Sequence, residues 1–292
     1  MNKYLELIEK IHASPFRLTF VSSGGGTNAI SELLKVPGAS NTVLESYIPY
    51  SKESMDTFLN KTPDHYCSLE TCLSMAANAF KKSKEIDQRT KTRYLLGIAI
   101  TANLATTYEK KGEHKFFIVI QAYNYTKYLE CYLIKGNRTR KQEEELITNC
   151  ALSLLAESCG FEYDLPKIDE EIKINKIKAE KSWEKLFNNK VDYISNNQNS
   201  PELIFPGSFN PLHEGHLKMK ELAEKRTGMH TTFEICANNA DKPPLTFYEI
   251  KRTIDQFQND ESWILTSAGR FSEKAKMFPN SVFIIGADTL MR

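Results

Sequence analysis

After residue 201 the chain repeats a pattern in which short strands are apolar along nearly their whole length. Strands are predicted at 202–206 and in "TTFEICANN", "SWILT" and "SVFIIGAD", with helices after the first and the second. Strands that are buried on both faces have such continuous apolar runs, and helical connections then cover the sheet. The sequence therefore predicts a doubly wound parallel sheet for residues 201–292.

The first of these strands ends in Pro-Gly-Ser, and "HEGH" opens the helix that follows. Ligands of open α/β sheets bind beyond the carboxyl ends of the strands, where Gly207 and Ser208 let the backbone approach a phosphate. His213 and His216 share one face of the first helical turn, and Gly215 between them leaves room for a ligand. This pattern suits attack on the α-phosphorus of a triphosphate, which depends on positioning and charge stabilisation.

Residues 1–163 mix predicted helices and strands, which indicates a separate α/β domain. "RLTFVSS" is predicted as a strand, and "GGGTNAISELLK" as a glycine-rich turn that opens a helix and offers a site for phosphate. "KQEEELITNCALSLLAES" is predicted as a long helix that ends at Gly160.

Residues 164–200 are rich in lysine and poor in glycine, and they finish in a tract of Asn, Gln and Ser. We interpret this stretch as a helical connection followed by a linker, which is expected to be exposed and flexible near 197–201. The predicted organisation is thus a first domain over 1–163, a connection over 164–200 and a second domain over 201–292.

Composition limits the classes of partner. The 38 Lys and Arg residues nearly cancel the 37 Asp and Glu residues, so no net basic field favours nucleic acid. No apolar run approaches the ~20 residues that cross a bilayer, so no membrane partner is expected. Six scattered cysteines form no C-x-x-C pair, which predicts a reduced cytoplasmic protein without a metal site. The oligomeric state is left open, a homo-oligomer included.

The motif "GSFNPLHEGH" is similar to the signature of nucleotidyltransferases marked by H/T-x-G-H, and "FIIGADTL" resembles a strand end of the mononucleotide adenylyltransferases. The resemblance implies a Rossmann-like fold. It also implies that His213 and His216 are catalytic, holding the triphosphate and stabilising its charge. Nucleotide contacts would come from seven further residues: Gly207, Ser208, Phe209, Gly215, Lys242, Gly286 and Asp288.

The resemblance implies transfer of a nucleotidyl group to a phosphorylated acceptor such as a pyridine mononucleotide, with ATP favoured as donor and Mg²⁺ accompanying it. A cytidylyltransferase is the alternative, because H-x-G-H does not select the base. A non-catalytic nucleotide-binding protein is a third hypothesis for the function. Members of the family usually continue with a segment I-S-S-T-x-I-R, which this chain does not contain. We therefore expect the transferase domain to be incomplete at its C-terminus.

The stretch "FVSSGGGTNAISELLKVPGASNTVLESYIPYSKESM" resembles the C-terminal domain of the competence-damage-inducible protein CinA, whose members deamidate nicotinamide mononucleotide. The family's nucleophile then falls on Ser23 and its tyrosine on Tyr50. Its lysine position holds Met55, with Lys52 as the nearby substitute. A serine needs a base or a neighbouring cation to attack at neutral pH, so the amidase-like site is expected to be degenerate. Both resemblances concern enzymes of NAD metabolism.

Overall fold

The computed structural model of the protein describes residues 4–108, 110–162, 164–238, 242–258 and 260–286. The chain divides into two compact units, Met1–Lys178 and Ala179–Arg292. Each unit contains one sheet with helices around it, so the α/β class predicted from the sequence is confirmed.

The first unit is built on a six-stranded mixed sheet in the order β2-β1-β3-β4-β5-β6. Its strands are β1 Arg17–Ser23, β2 Val43–Tyr47, β3 Leu95–Asn103, β4 His114–Ala122, β5 Tyr125–Leu133 and β6 Ile172–Lys178. Its helices are α1 Leu5–Ala13, α2 Thr27–Lys35, α3 Ala39–Thr42, α4 Lys52–Leu59, α5 Leu69–Ile86 and α6 Arg140–Ser158, with a 3-10 turn at Thr92–Tyr94. The pairs β2-β1 and β1-β3 are parallel, and the remaining pairs are antiparallel.

Gly97 explains how closely α5 approaches this sheet. A Cβ atom at Gly97 in β3 would stand 2.2 Å from the amide nitrogen of Phe80 and 2.4 Å from the carbonyl oxygen of Ala76. The helix therefore packs backbone against backbone on the central strand, which only a residue without a side chain permits. Apolar residues of α1, α2 and α6 form the core with β1, β3, β4 and β5.

The second unit is built on a five-stranded sheet in the order β11-β8-β9-β10-β7. Its strands are β7 Tyr193–Ser195, β8 Leu203–Pro206, β9 Thr231–Cys236, β10 Ser262–Thr266 and β11 Val282–Phe283. Its helices are α7 Lys181–Phe187, α8 Glu214–Thr227, α9 Phe247–Ile254 and α10 Phe271–Met277. Strands β8 to β11 run parallel, as the apolar runs predicted, and β7 is antiparallel to β10.

The structure corrects the helical connection expected over 164–200. Residues 172–178 form β6, which pairs with β5 in the first sheet, and residues 193–195 form β7 in the second sheet. One helix lies between them, α7, whose Trp183 is buried and stacks on Phe247 with ring centroids 6.2 Å apart. The lysine-rich composition suggested helix because β6 is largely exposed and its apolar alternation covers only Ile172 and Ile174 before it shifts phase at Ile177.

The tract expected to be a flexible linker near 197–201 is attached to the second sheet. Oδ1 of Asn196 accepts a hydrogen bond from the amide of Trp263 at 2.8 Å, and its Nδ2 donates to the carbonyl of Glu261 at 2.8 Å. Nδ2 of Asn197 donates to the hydroxyl of Ser262 at 3.1 Å, and Pro201 is buried. These amide side chains are hydrogen-bonded to the start of β10, so the tract lies inside the second unit. The boundary between the two units falls near residue 178.

An ion pair lies in the interior of the second unit. Nζ of Lys274 in α10 is 2.6 Å from Oε2 of Glu234 in β9, and both side chains are buried. The hydroxyl of Thr266 donates to the other carboxylate oxygen. The two buried charges therefore compensate each other.

Within the described parts of the chain, no helix combines the length and the apolar character that crossing a bilayer requires.

Candidate functional site

The order of the second sheet places the Pro-Gly-Ser loop at a topological switch point. From β8 the chain proceeds to β9 and β10 on one side, and it then returns to β11 on the other side of β8. The loop leaves the carboxyl end of β8, where the amide of Gly207 donates to the carbonyl of Glu234 in β9 at 3.0 Å. The carboxyl edge between β8 and β11 is where open α/β sheets bind their ligands.

His213 and His216 meet at the first turn of α8. His213 is the N-cap residue in extended conformation, and His216 is the third residue of the helix. Their rings stack with centroids 3.7 Å apart and planes at 24°. A Cβ atom on Gly215 would stand 3.1 Å from Nδ1 and Cε1 of His213, so the glycine leaves space beside that ring. The structure thus brings together both histidines that the sequence singled out.

A backbone hydrogen bond orients His216. The amide of His213 donates to Nδ1 of His216 at 3.3 Å. Nδ1 is therefore an acceptor, so a neutral ring carries its proton on Nε2. Burial lowers the pKa of His216, and the charge of His213 lowers it further. At neutral pH the ring is consequently a neutral hydrogen-bond donor through Nε2.

Phe209 lies beneath the loop and does not line its surface. Its φ is +42°, its side chain is 1% exposed, and its ring packs against Phe205, Phe233 and His216. A Cβ atom on Gly207 would stand 2.5 Å from this ring. Glycine at 207 is therefore required by the buried phenylalanine, and a contact of Gly207 or Phe209 with a nucleotide stays a prediction.

Two residues of α9 and the turn after it hold the loop, and sequence reasoning missed both. Nε2 of Gln256 donates to the carbonyl of Phe209 at 2.9 Å, and the amide of Leu212 donates to Oε1 of Gln256 at 2.8 Å. A guanidinium nitrogen of Arg252 donates to Oδ1 of Asn210 at 2.6 Å. Most of these contacts join a side chain to backbone atoms of the loop that are more than 40 positions away in the sequence, so no sequence motif indicates them.

Three further predicted residues, Ser208, Lys242 and Gly286, follow the carboxyl ends of parallel strands of this sheet. Ser208 is exposed within the loop. Lys242 is exposed in the connection from β9 to α9. Gly286 follows β11, and between them the amide of Ile284 donates to the carbonyl of Ile204 at 2.8 Å. Asp288 lies outside the described residues. The contact of Lys242 and Gly286 with a nucleotide stays a prediction.

The amidase-like residues of the first unit do not form an activated nucleophile. The hydroxyl of Ser23, at the end of β1, donates to the carbonyl of Pro49 at 2.9 Å. Tyr50 is 68% exposed, and Nζ of Lys52 lies over the ring of Tyr66, 5.7 Å from its centroid. Met55, at the lysine position, is 1% exposed. The Ser23 proton is directed at a carbonyl and not at a base.

Residues 204–292 match the family model described as cytidylyltransferase-like. This match supports nucleotidyl transfer as the general type of activity for the second unit, and it confirms neither an adenylyl donor nor a pyridine mononucleotide acceptor.

Known structures resemble about half of the chain. The competence/damage inducible protein CihA from Agrobacterium tumefaciens is 18% identical with a TM-score of 0.43, covering 52% of this chain and 93% of that one. A CinA superfamily protein from Klebsiella pneumoniae is 14% identical with a TM-score of 0.43, covering 53% and 96%. One from Enterobacter cloacae is 16% identical with a TM-score of 0.43, covering 53% and 90%. No curated protein sequence matches the chain significantly.

Proposed function

We propose that the second unit transfers a nucleotidyl group from a nucleoside triphosphate to a phosphorylated small molecule and releases pyrophosphate. The observation that carries this proposal is the position of the stacked His213–His216 pair, at the start of α8 beside the switch point of a parallel sheet. The cytidylyltransferase-like match of residues 204–292 supports the same type of reaction.

In the proposed reaction a phosphate oxygen of the acceptor attacks the α-phosphorus of the triphosphate. A bond forms between them, the bond from the α-phosphorus to the bridging oxygen breaks, and pyrophosphate leaves with that electron pair. The Nε2 proton of His216 and the first amides of α8 stabilise negative charge on the departing phosphates. The residues Arg252 and Gln256 hold the loop in place while the two substrates react.

Mg²⁺ is proposed to arrive with the triphosphate. Among the described residues, no group of three or more His, Cys, Asp or Glu side chains is arranged to hold a metal ion. Mg²⁺ in such sites is bound largely through substrate phosphates and water, and this loop supplies backbone amides and histidines for the phosphates. The residues present are thus compatible with a metal that the substrate carries, where it would neutralise charge on the phosphates.

For the donor we propose ATP and for the acceptor a pyridine mononucleotide, on the basis of the resemblance of "FIIGADTL" to the mononucleotide adenylyltransferases. CTP is the competing donor, favoured by the description of the matching family model. A non-catalytic nucleotide-binding role is the third candidate, favoured by the Ser23 hydroxyl that is bonded to a carbonyl in the amidase-like unit.

The test is a pyrophosphate-release assay that offers ATP or CTP with nicotinamide and nicotinate mononucleotides and other phosphorylated acceptors. His216→Ala should lower turnover about 10²–10³-fold, since it removes a preorganised donor. Lys218→Ala, an exposed change on the same helix, is the matched control and should leave turnover unchanged.

If the parent releases no pyrophosphate, the melting temperature with each nucleotide decides between the remaining candidates. Stabilisation of the parent by ATP or CTP, reduced in His216→Ala, would favour the non-catalytic binding role. A parent that neither turns over nor is stabilised would contradict both.

A further inference from the structure

The glycine-rich loop of the first unit already binds a carboxylate of its own chain. The amide of Gly26 donates to both carboxylate oxygens of Glu144, at 2.9 and 2.8 Å. The amide of Asn28 and the hydroxyl of Thr27 donate to Oε1 of the same carboxylate, at 3.2 and 3.3 Å. Glu144 lies in α6, more than a hundred residues further along the chain, so this is a tertiary contact.

The contact occupies the place where the sequence predicted a phosphate. Gly26 is the N-cap of α2, and the first amides of a helix have no partner within it. These amides and the helix dipole together favour a negative group, whether phosphate or carboxylate. The sequence thus correctly predicted that an anion binds at the N-terminus of α2, but the anion is the carboxylate of Glu144 and not a phosphate.

The glycines of the loop allow α6 to reach it. A Cβ atom on Gly25 would stand 3.1 Å from Oε2 of Glu144, and one on Gly26 would stand 3.1 Å from Cγ2 of Ile147. Glu144 and Ile147 are three residues apart and so share a face of α6. Because Gly25 and Gly26 have no side chains, this face of α6 can pack directly on the loop. The glycines are therefore needed for a contact within the first unit.

A cavity of about 1080 Å³ opens beside this contact, and all its lining residues belong to the first unit. Its walls include Asn28, Tyr50, Arg140 and Glu144. The guanidinium group of Arg140 is held at the loop, where it donates to the carbonyl of Gly24 at 3.0 Å. The volume slightly exceeds the range of about 300–1,000 Å³ for small-molecule sites. A ligand in this cavity would meet the carboxylate of Glu144 at the place where the helix would otherwise offer bare amides.

We propose that Glu144 is a built-in anion that closes the glycine-rich loop to phosphate, so that a phosphorylated ligand of the cavity cannot place its phosphate on the amides of Gly26 and Asn28. A phosphate at the loop would have to displace the carboxylate, which would then lose its hydrogen bonds, or lie beside a like charge. The proposal concerns the first unit alone and is independent of the transferase activity proposed for the second.

The test is a titration of the full-length protein with inorganic phosphate, followed by the ¹⁵N resonances of the Gly26 and Asn28 amides. This readout reports on the loop amides themselves, and the Glu144 variants show whether a shift at these amides depends on the loop contact. Glu144→Ala should show saturable shifts at both amides, whereas the parent should show none over the same range of phosphate concentration. Glu145→Ala, a neighbouring cavity residue on α6, is the matched control and should behave like the parent.

Ribose 5-phosphate and ribose extend the test, because they differ by one phosphate group. Glu144→Ala should bind the phosphorylated sugar better than the parent does, with no such gain for ribose. If Glu144→Ala does not fold, Glu144→Gln takes its place, since glutamine keeps the size but removes the charge and places an NH₂ donor near the amides. Saturable phosphate shifts in the parent, or none in a folded variant, would overturn the proposal.

Discussion

The backbone amide of His213 donates to Nδ1 of His216 at 3.3 Å while the two imidazole rings stack 3.7 Å apart. His213 thus fixes the tautomer of His216 through its backbone amide, and it lowers the pKa of His216 through the charge of its ring. The two effects can be separated, because a substitution at 213 keeps the amide and removes the ring.

We expect the imidazole of His216 to titrate below its ordinary pKa of 6.5. The folded state favours the neutral His216 ring. The contribution of this ring to the stability of the fold is therefore complete above pH 6.5, and it is lost as the pH falls through the lowered pKa. His213→Ala should move the midpoint upward, as followed by the imidazole proton resonances of His216, and Lys218→Ala should leave it in place. A parent midpoint at or above 6.5 would contradict the assignment.

Gln256→Ala should loosen the loop between Phe209 and Leu212. The substitution leaves the Leu212 amide without its acceptor, which costs about 1–3 kcal/mol where that group stays buried. We expect a lower midpoint in urea and a larger proportional fall in pyrophosphate release. The control is Lys251→Ala, which removes an exposed pair with Asp255. Equal losses in the two variants would argue against a positioning role for Gln256.

Met55→Lys tests whether the first unit can accept a lysine at the position where the CinA resemblance predicts one. Met55 is 1% exposed, so an ammonium group there would be buried without a partner. The cost should be on the order of several kcal/mol, whereas Met55→Leu should cost less than about 1.5 kcal/mol. Equilibrium denaturation measures both. Similar stability of the two variants would show that the site accepts a charge.

Ammonia release from nicotinamide mononucleotide should stay at background in the parent and in Ser23→Ala. The Ser23 hydroxyl donates to a carbonyl, which cannot take up its proton. A coupled assay for ammonia decides the matter. Release above background that Ser23→Ala abolishes would establish an active amidase.

Lys274→Met should destabilise the second unit by about 3–5 kcal/mol, because it leaves Glu234 buried and uncompensated. Combining it with Glu234→Leu should recover part of that loss, since the unpaired charge is then gone. Lys276→Met lies on the same helix but is exposed, and it should change stability by less than about 0.5 kcal/mol. Thermal denaturation of the four proteins makes the comparison.

Local signals in the sequence were sufficient for the parallel sheet and for the histidine loop. An apolar strand, a Pro-Gly-Ser break and a helix start lie within residues 202–219, so neighbouring residues determine each step. The contacts of Glu144 and Gln256 were not predictable in this way. Their partners are mostly backbone groups separated by 118 residues for Gly26 and by 44 for Leu212, and only the fold brings them together.

The lysine-rich stretch that suggested a helical connection has a different physical role at the edge of the first sheet. In the part of the chain that the structure describes, β6 is an edge strand that pairs with β5, and its sequence "IKINKIK" carries Lys173, Lys176 and Lys178. A strand edge with free amides and carbonyls invites a strand from another molecule to add to it, and lysines oppose this by keeping their charges in water. The lysines that make β6 difficult to predict as a strand thus also oppose edge-to-edge aggregation of the protein.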